Sequence, residues 1–221
     1  FYETTIENAE LTKVCYNTFI STKISFVNTV MEMCNKLPNT NVDDVTNALK
    51  MCDDRIISYK YLSGGMGDGG GCHPRDNIAL SWLSDKLGLS FNWFDNIMKQ
   101  REVQTEWLAD LIEEHSAGLP INILGKSFKP QTNITTGSPS ILLNNILEER
   151  GHAVFMWDPY VDGPFPTEYG EFDEPQCYFI GTKHEDFVNF PYEKDSIIID
   201  PWRFIPDIYN CKVIRIGDNN K

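Results

Sequence analysis

The sequence predicts a chain in two parts, an all-helical first half followed by an α/β layer domain. Three observations predict it. Apolar residues recur at three- and four-residue intervals between Glu7 and Leu37, no β-like run occurs before Leu119, and five short apolar runs follow that point. Those runs are "INILG" (121–125), "AVFMW" (153–157), "CYFIG" (177–181), "SIIID" (196–200) and "CKVIRIG" (211–217). Strands alternating with helical stretches imply parallel pairing. The boundary falls between residues 117 and 118.

Each element has its own signal. From Glu7 to Leu37 the stripe Leu11, Val14, Cys15, Thr18, Ile24, Val27, Val30, Met31 and Cys34 predicts one long amphipathic helix stopped by Pro38. That stripe is wider than a single packing contact needs, which predicts burial against several neighbours or another subunit. Asp43 and Asp44 open a short helix ending near Cys52. Pro74 and Asp76 sit where a further helix begins, and Gly88 stops it. Ser90 is the expected N-cap of a long helix through His115, ended by Gly118 and Pro120. After the first strand, Ser138-Pro139 starts the helix "SILLNNILEER" and Gly151 ends it. The second strand closes in Asp158-Pro159. Residues 161 to 175, rich in Pro, Gly, Asp and Glu, read as a surface loop.

Composition narrows the partners. The 221 residues carry a net charge of −13, and a phosphate backbone needs a basic face, so the charge argues against a nucleic-acid partner. A small anion held by a few local cations remains compatible with that charge. No apolar run approaches the roughly 20 residues that span a bilayer. The acidic start "FYETTIENAE" lacks the basic and apolar regions of a signal peptide. The six cysteines (15, 34, 52, 72, 177, 211) form no CxxC pair and no zinc spacing. They read as reduced thiols of a cytoplasmic protein without a metal site.

The stretch "GGMGDGGGCHPRD" (64–76) carries the chemistry, with six glycines in eight residues just ahead of Cys72. Glycine loses more conformational freedom on folding than any other residue, so such a run is either a slack linker or a place of close approach to the backbone. Cys72 precedes a helix start, whose partial positive charge favours a thiolate, and Arg75 adds to it. A thiolate attacks carbonyl carbon, and a polar ligand would lie against bare backbone N–H groups beside it. The same residues also fit an inert, buried cysteine after a flexible loop. His73 is a poor base for Cys72, because neighbours at a helix start point apart. Lys13 and Asn17, spaced i and i+4, share a helix face, either as a solvated polar stripe or as a pair reaching into a pocket. Lys126 and Lys129 follow the first strand, where ligands of open α/β sheets bind, and Ser138-Pro139 offers a helix N-terminus to an anion. Ordinary surface lysines are the other reading. No GxGxxG follows any predicted strand.

Together these stretches resemble the UDP-glucose/GDP-mannose dehydrogenase family. "NAELTKVCYNTFISTKISFVN" resembles its long central helix, "YLSGGMGDGGGCHPRD" its YLxPGxGxGGSCxPKD loop, "ILGKSFKPQTNITTGSPS" its LGxxFKxxTxDxRxSP segment and "WDPYV" a later DP element. The resemblance implies a helical central domain that forms a homodimer through helix 7–37, followed by a Rossmann-like α/β domain that binds a UDP-sugar. It implies oxidation of a nucleotide-sugar C6 alcohol to a carboxylate, of the UDP-glucose 6-dehydrogenase type, with two NAD. Cys72 would capture the aldehyde as a thiohemiacetal and become a thioester. Lys13 and Asn17 would stabilise the oxyanion and position water, with Asp76 assisting the proton chemistry. Arg55, Tyr61, Ser63, Gly64, Gly65, Gly67, Gly69, Phe128, Lys129 and Arg203 would contact substrate, and Cys72, His73, Pro74 and Arg75 would border the cofactor.

The departures from the pattern are specific. The N-terminal NAD-binding domain is expected to be missing, so the chain would oxidise nothing until an NAD domain joins it in cis or in trans. Asp68 stands where an aromatic residue is usual, His73 where an apolar one is, and Arg75 replaces a lysine. Thr136 falls where a cofactor-contacting arginine is expected, one extra residue lies between Arg55 and Tyr61, and the local spacing at Arg203 differs. The alternatives are a UDP-N-acetylhexosamine or GDP-mannose substrate, or a non-catalytic dimeric nucleotide-sugar-binding protein.

Overall fold

The structure, a computed structural model, describes residues 2–10, 12, 33–34, 36–57, 64–67, 69–165 and 174–217, with only the backbone of residues 57, 72, 73 and 76. By spatial proximity the chain divides into two units. One comprises Phe1–Leu62 and Ala79–Asn96, and the other Ser63–Ile78 and Ile97–Lys221. The grouping by proximity therefore cuts across the grouping by secondary-structure type, placing the glycine loop and residues 97–115 with the sheet.

In the first unit, residues 6–10, 12, 33–34 and 36 are helical; residues 13–32, most of the expected long helix, lie outside the described residues. Helix α1 (Val42–Lys50) is capped by Asn41, whose side-chain oxygen accepts the N–H of Asp43 at 2.8 Å. Asp43 and Asp44 occupy its positive end and Lys50 its negative end, complementing the helix dipole. A π-helical turn, Asp53–Ile57, follows and carries Arg55 on an exposed surface.

Helix α2 (Cys72–Leu87) ends at Gly88, whose φ of +59° lets Leu89 N–H reach back to the carbonyl of Ser84 at 3.0 Å. Helix α3 (Trp93–His115) begins three residues later than Ser90. Its cap is Asn92, not the expected Ser90. The Asn92 side-chain oxygen accepts the N–H of Asp95 at 3.1 Å, and its amide donates to Ser81 and Asp85 on α2. One asparagine thus closes the turn and caps the helix, which a serine hydroxyl two residues earlier could not do.

The second unit holds a five-stranded, all-parallel sheet. Its strands are β1 (Ile121–Leu124), β2 (Val154–Trp157), β3 (Cys177–Ile180), β4 (Ile197–Asp200) and β5 (Lys212–Arg215), in the order β2-β1-β3-β4-β5. All five agree with the runs read from sequence. β1 pairs with both neighbours in step, Leu124 standing opposite Trp157 and Ile180. Helix α4 (Pro139–Glu149) connects β1 to β2, with Ser138 capping it and Pro139 at its first turn.

The two faces of the sheet are covered differently. On one, Leu108, Ala109 and Ile112 of α3 and Leu143, Ile146 and Leu147 of α4 pack on Ile121, Ile123, Cys177, Phe179 and Ile199. On the other, Leu124, Trp157, Tyr178, Ile180 and Ile198 meet Phe187 and Ile205, flanked by Phe165, Phe190, Tyr192 and Trp202. The alternation of Cys177 and Phe179 against Tyr178 and Ile180 is the period-2 pattern of a strand buried on both sides. The β3–β4 connection, for which the sequence predicts no element, is a short 3₁₀ turn, Glu185–Asn189. Aromatic rings do the covering there instead, edge to face, as between Trp157 and Phe165 at 5.0 Å and Tyr178 and Tyr192 at 5.2 Å. The expected surface loop from Val161 consequently gives up Phe165 to the core; residues 166–173 lie outside the described residues.

Candidate functional site

In a parallel sheet the loops leaving the carboxyl ends of the strands form the ligand crevice. Here two strands close in Asp-Pro, and each buries its carboxylate as a loop organiser. Asp200 at the end of β4 accepts from Trp202 N–H at 2.8 Å and from Phe204 and Ile205 N–H at 2.7 and 2.8 Å. Asp158, just past β2, is fully buried and does more. Its Oδ2 accepts from the N–H groups of Lys126 (2.7 Å) and Ser127 (2.9 Å), and its Oδ1 from Tyr160 (2.8 Å) and Val161 (3.3 Å).

The fifth partner is His184, also fully buried, whose Nε2 lies 3.1 Å from Asp158 Oδ2 and 3.0 Å from Ser127 Oγ. His184 Nδ1 accepts the N–H of Gln131 at 3.2 Å, which places the ring proton on Nε2, facing Asp158. Tyr160 stacks on the ring at 4.7 Å. Burial works against the charge on Asp158. The hydrogen bonds from His184 and from the N–H groups of Ser127, Tyr160 and Lys126 outweigh it and hold the carboxyl well below the usual carboxylate range. Ser127, His184 and Asp158 do not form a nucleophilic triad, because hydroxyl and carboxylate share one ring nitrogen. What the network fixes is the loop after β1, the one bearing Phe128 and Lys129.

The glycine loop is seated against these strand ends. Trp202 lies flat on Gly65, so a Cβ there would overlap its six-membered ring. Phe128 covers Gly69 and Gly70; Gly70 has φ +83°, and a Cβ would stand 2.9 Å from Cε2 of that ring. Arg203 Nη2 donates to the carbonyl of Gly64 at 2.8 Å, and Gln104 Nε2 to that of Gly65 at 3.3 Å. Arg101 touches Gly67 and donates to the carbonyl of Gly137 at 2.8 Å. The run of glycines is therefore a close-packed seat. It is not a slack linker.

Gly65-x-Gly67-x-x-Gly70 has dinucleotide-loop spacing. A side chain at Gly65 would meet Trp202, one at Gly67 Arg101 and one at Gly70 Phe128, so the chain itself fills the space these glycines leave. Beyond them the picture changes. Among the described residues, only Thr136 Cγ2 comes within 4 Å of a Cβ placed at Gly71, at 3.9 Å, and the first turn of α2 contains no acidic residue.

The expected site residues are distributed as follows. Cys72 is the first residue of α2, with His73, Pro74, Arg75 and Asp76 in the turns after it. Pro74 is half-buried and Arg75 exposed. Gly64, Gly65, Gly67 and Gly69 lie in the seated loop beside Phe128, with Lys129 exposed and its Nζ 5.3 Å over the Phe128 ring. Lys126 is engaged by Asp162 at 2.8 Å. Arg203, at φ +59°, spends three donors on carbonyls, those of Pro201 (2.6 Å), Ile216 (2.8 Å) and Gly64. Lys13, Asn17, Tyr61 and Ser63 lie outside the described residues, and Arg55 belongs to the other unit.

Sequence reasoning gave no role to Asp158, His184, Trp202, Arg101 or Gln104. Asp-Pro closing a strand was the one legible signal, and it appears twice. Among the described residues no His, Cys, Asp and Glu cluster could hold a metal, and no described helix is long and apolar enough to cross a membrane. Cys34, Cys52, Cys177 and Cys211 are free thiols. Burial pushes Cys177 up to about 12, so it is inert.

Fold and site together define a parallel α/β unit whose strand-end loops seat a glycine loop and the helix it opens. Residues 7–102 match the UDP-glucose/GDP-mannose dehydrogenase family, central domain. The UDP-glucose 6-dehydrogenase TuaD of Bacillus subtilis (strain 168) is 31% identical over 160 residues, 71% of this chain and 34% of that protein. The UDP-glucose 6-dehydrogenase YwqF of the same organism is 32% identical over 161 residues, 72% of this chain and 36% of that protein. A GDP-mannose dehydrogenase from Pseudomonas aeruginosa, solved as a ternary complex, shares the fold with a TM-score of 0.80 at 21% identity, over 95% of this chain and 53% of that one. A UDP-glucose dehydrogenase from Pyrobaculum islandicum matches with a TM-score of 0.60 at 26% identity, over 94% and 50%. The chain belongs to the UDP-glucose/GDP-mannose dehydrogenase family. It spans about a third of the length of these curated relatives.

Proposed function

We propose that this chain is the substrate-binding and cysteine-bearing half of a nucleotide-sugar 6-dehydrogenase, most akin to the UDP-glucose 6-dehydrogenases that it resembles. The observation that carries the reading is the seat itself. A glycine loop held against the ends of β1 and β4 delivers Cys72 to the start of a helix with no acidic residue in its first turn. Pure binding needs no thiol at that point, whereas aldehyde capture does.

On this reading the C6 carbon of the sugar rests beside Cys72. The sulfur adds to the aldehyde carbon to give a thiohemiacetal, and its oxidation leaves a thioester that water cleaves to the acid and the free thiol. NAD, when bound, accepts the hydrides of the two oxidations. The ammonium of Lys13 and the amide of Asn17 stabilise the oxyanion and place the water, and Asp76 takes up and returns the proton. Phe128 and Lys129 hold the nucleotide, with Lys129 meeting phosphate. Tyr61, Ser63 and the backbone of Gly64 to Gly69 line the sugar, and Arg55 reaches the sugar held by the partner of a homodimer built on helix 7–37. The start of α2, from Cys72 to Arg75 beside Thr136, is where the cofactor's anionic part would approach. Residues 118–221 form the nucleotide-sugar-binding domain, and residues 1–117 the dimerising, cysteine-bearing domain of a cytoplasmic enzyme.

Calorimetry tests the binding half of this reading and mutagenesis the chemical half. The chain binds a UDP-sugar and, by itself, does not reduce NAD; brisk reduction by the isolated chain would contradict the division of labour. With an NAD-binding domain supplied, Cys72→Ser keeps sugar binding and abolishes acid formation. Unchanged turnover in that variant rules out the covalent role, and a panel of UDP- and GDP-sugars then identifies the substrate.

A further inference from the structure

We infer that Trp202 and Arg203 are a positioning pair that sets the height and register of the glycine loop, and through it the start of helix α2. The inference rests on the proposed role of Cys72 and adds to it two residues that act on the loop, not on the sugar.

The pair sits where β4 ends, immediately after the buried Asp200-Pro201 step. Asp200 fixes the turn by accepting three backbone N–H groups, one of them from Trp202 itself. The Trp202 indole N–H donates to the carbonyl of Ile180 at the end of β3, at 3.0 Å. The ring is thereby held at one angle, and its flat face covers Gly65 so closely that only glycine fits beneath it. Arg203 adopts φ +59°, a conformation a non-glycine residue enters only when its surroundings impose it. The return is that its guanidinium bridges three carbonyls: its own turn at Pro201, the end of β5 at Ile216, and Gly64 at 139 positions' separation.

A planar fork is the side chain that can do this, and a lysine ammonium in its place would meet one carbonyl well and lose the others. With Phe128 covering Gly69 and Gly70 from the β1 side, the loop is gripped from two strand ends. Three of five guanidinium donors are committed to the protein: two anchor the side chain to Pro201 and Ile216, and the third holds the glycine loop at Gly64. Loosening the grip unseats Gly64 and Gly65 and frays the first turn of α2, whose N–H groups favour the thiolate of Cys72.

The test compares the chain with its Arg203→Lys, Trp202→Leu and Trp202→Phe variants. Three quantities are measured: the ratio of Cys72 alkylation rates by iodoacetamide at pH 7 and pH 9, followed by peptide mass; affinity for UDP; and the melting temperature. The rate ratio cancels accessibility and reads thiolate fraction. For Arg203→Lys and Trp202→Leu it falls by about threefold to fivefold, the range of a helix-end interaction, while in Trp202→Leu, at a residue given no contact with substrate, UDP affinity stays within about twofold, below the effect of losing one charged hydrogen bond. Trp202→Phe keeps a flat ring on Gly65 and retains the ratio. An unchanged ratio in Arg203→Lys and Trp202→Leu overturns the inference, and so does a loss of UDP affinity at constant ratio, which would make Arg203 a substrate ligand. Failure of the unmodified chain to bind UDP bears on the proposed function alone, since the thiol ratio is read without any nucleotide.

Discussion

Replacing Asp158 with alanine removes the one carboxylate that accepts from five donors. The N–H groups of Lys126, Ser127, Tyr160 and Val161 and the ring proton of His184 all converge on it, and both Asp158 and His184 are fully buried. A buried donor left without a partner costs about 1–3 kcal/mol. The losses do not add, because Val161 N–H keeps the main-chain carbonyl of residue 158 at 3.2 Å, His184 Nε2 keeps Ser127 Oγ at 3.0 Å and the loop relaxes, so the expected loss is about 3–5 kcal/mol, that of a broken buried pair. Set against a stability of about 5–15 kcal/mol, this is a large share. Urea unfolding followed by circular dichroism reads it directly, and the melting temperature falls by about 10 °C.

The isosteric Asp158→Asn variant adds a pH test. The folded-state carboxyl titrates below its unfolded value, so the charge contributes stability that is complete above about pH 4, the unfolded pKa, and is lost as pH falls through the folded pKa. The asparagine variant lacks that term, so its stability curve approaches that of the parent as the solution is acidified from pH 5 towards pH 3. Parallel curves, or an alanine variant within about 1 kcal/mol of the parent, would refute the assignment of Asp158 as the organiser of this loop.

Other substitutions separate exposed from buried polar groups. Arg150 meets Glu106, Asp110 and Glu113 along one face of α3, yet its partners are mostly solvated; Arg150→Ala therefore lowers stability by under about 1 kcal/mol, and less still in molar salt. Ser138→Ala removes the cap that accepts Ser140 N–H at 3.2 Å and lowers stability by about 1 kcal/mol in chemical denaturation. Gly70→Ala faces both a left-handed backbone and the Phe128 ring. It destabilises by about 2 kcal/mol or more and weakens UDP-sugar binding by calorimetry, and a silent substitution there would show that Phe128 does not need the close approach.

Much of the fold was legible because strand formation here is a local matter. Each strand is a short run of β-branched and aromatic residues bounded by Gly, Pro or Asp, and each appears where the pattern puts it. The same holds for α4, where a capping serine, eleven helical residues that open with proline, and a glycine stop are written in order. Ser90 failed as a cap because the choice between Ser90 and Asn92 depends on which side chain faces Ser81 and Asp85, a contact between two helices. His184 was invisible for a related reason. Nothing in "GTKHEDF" marks a buried histidine until the loop after β1 and the end of β2 converge on it from 57 and 26 residues away.

By itself the sequence determined a helical region, a parallel sheet in its five positions, a glycine-rich approach to Cys72, and membership of a family through motifs that are contiguous in the chain. Tertiary structure alone decided what packs against the glycines. Whether a bare backbone serves a ligand or a neighbouring ring depends on what comes to lie within 4 Å of it, and here Trp202 arrives from 137 positions along the chain and Phe128 from about 60. Periodicity and propensity encode the conformation of adjacent residues, while close approach between distant ones exists only after the strands have aligned their ends.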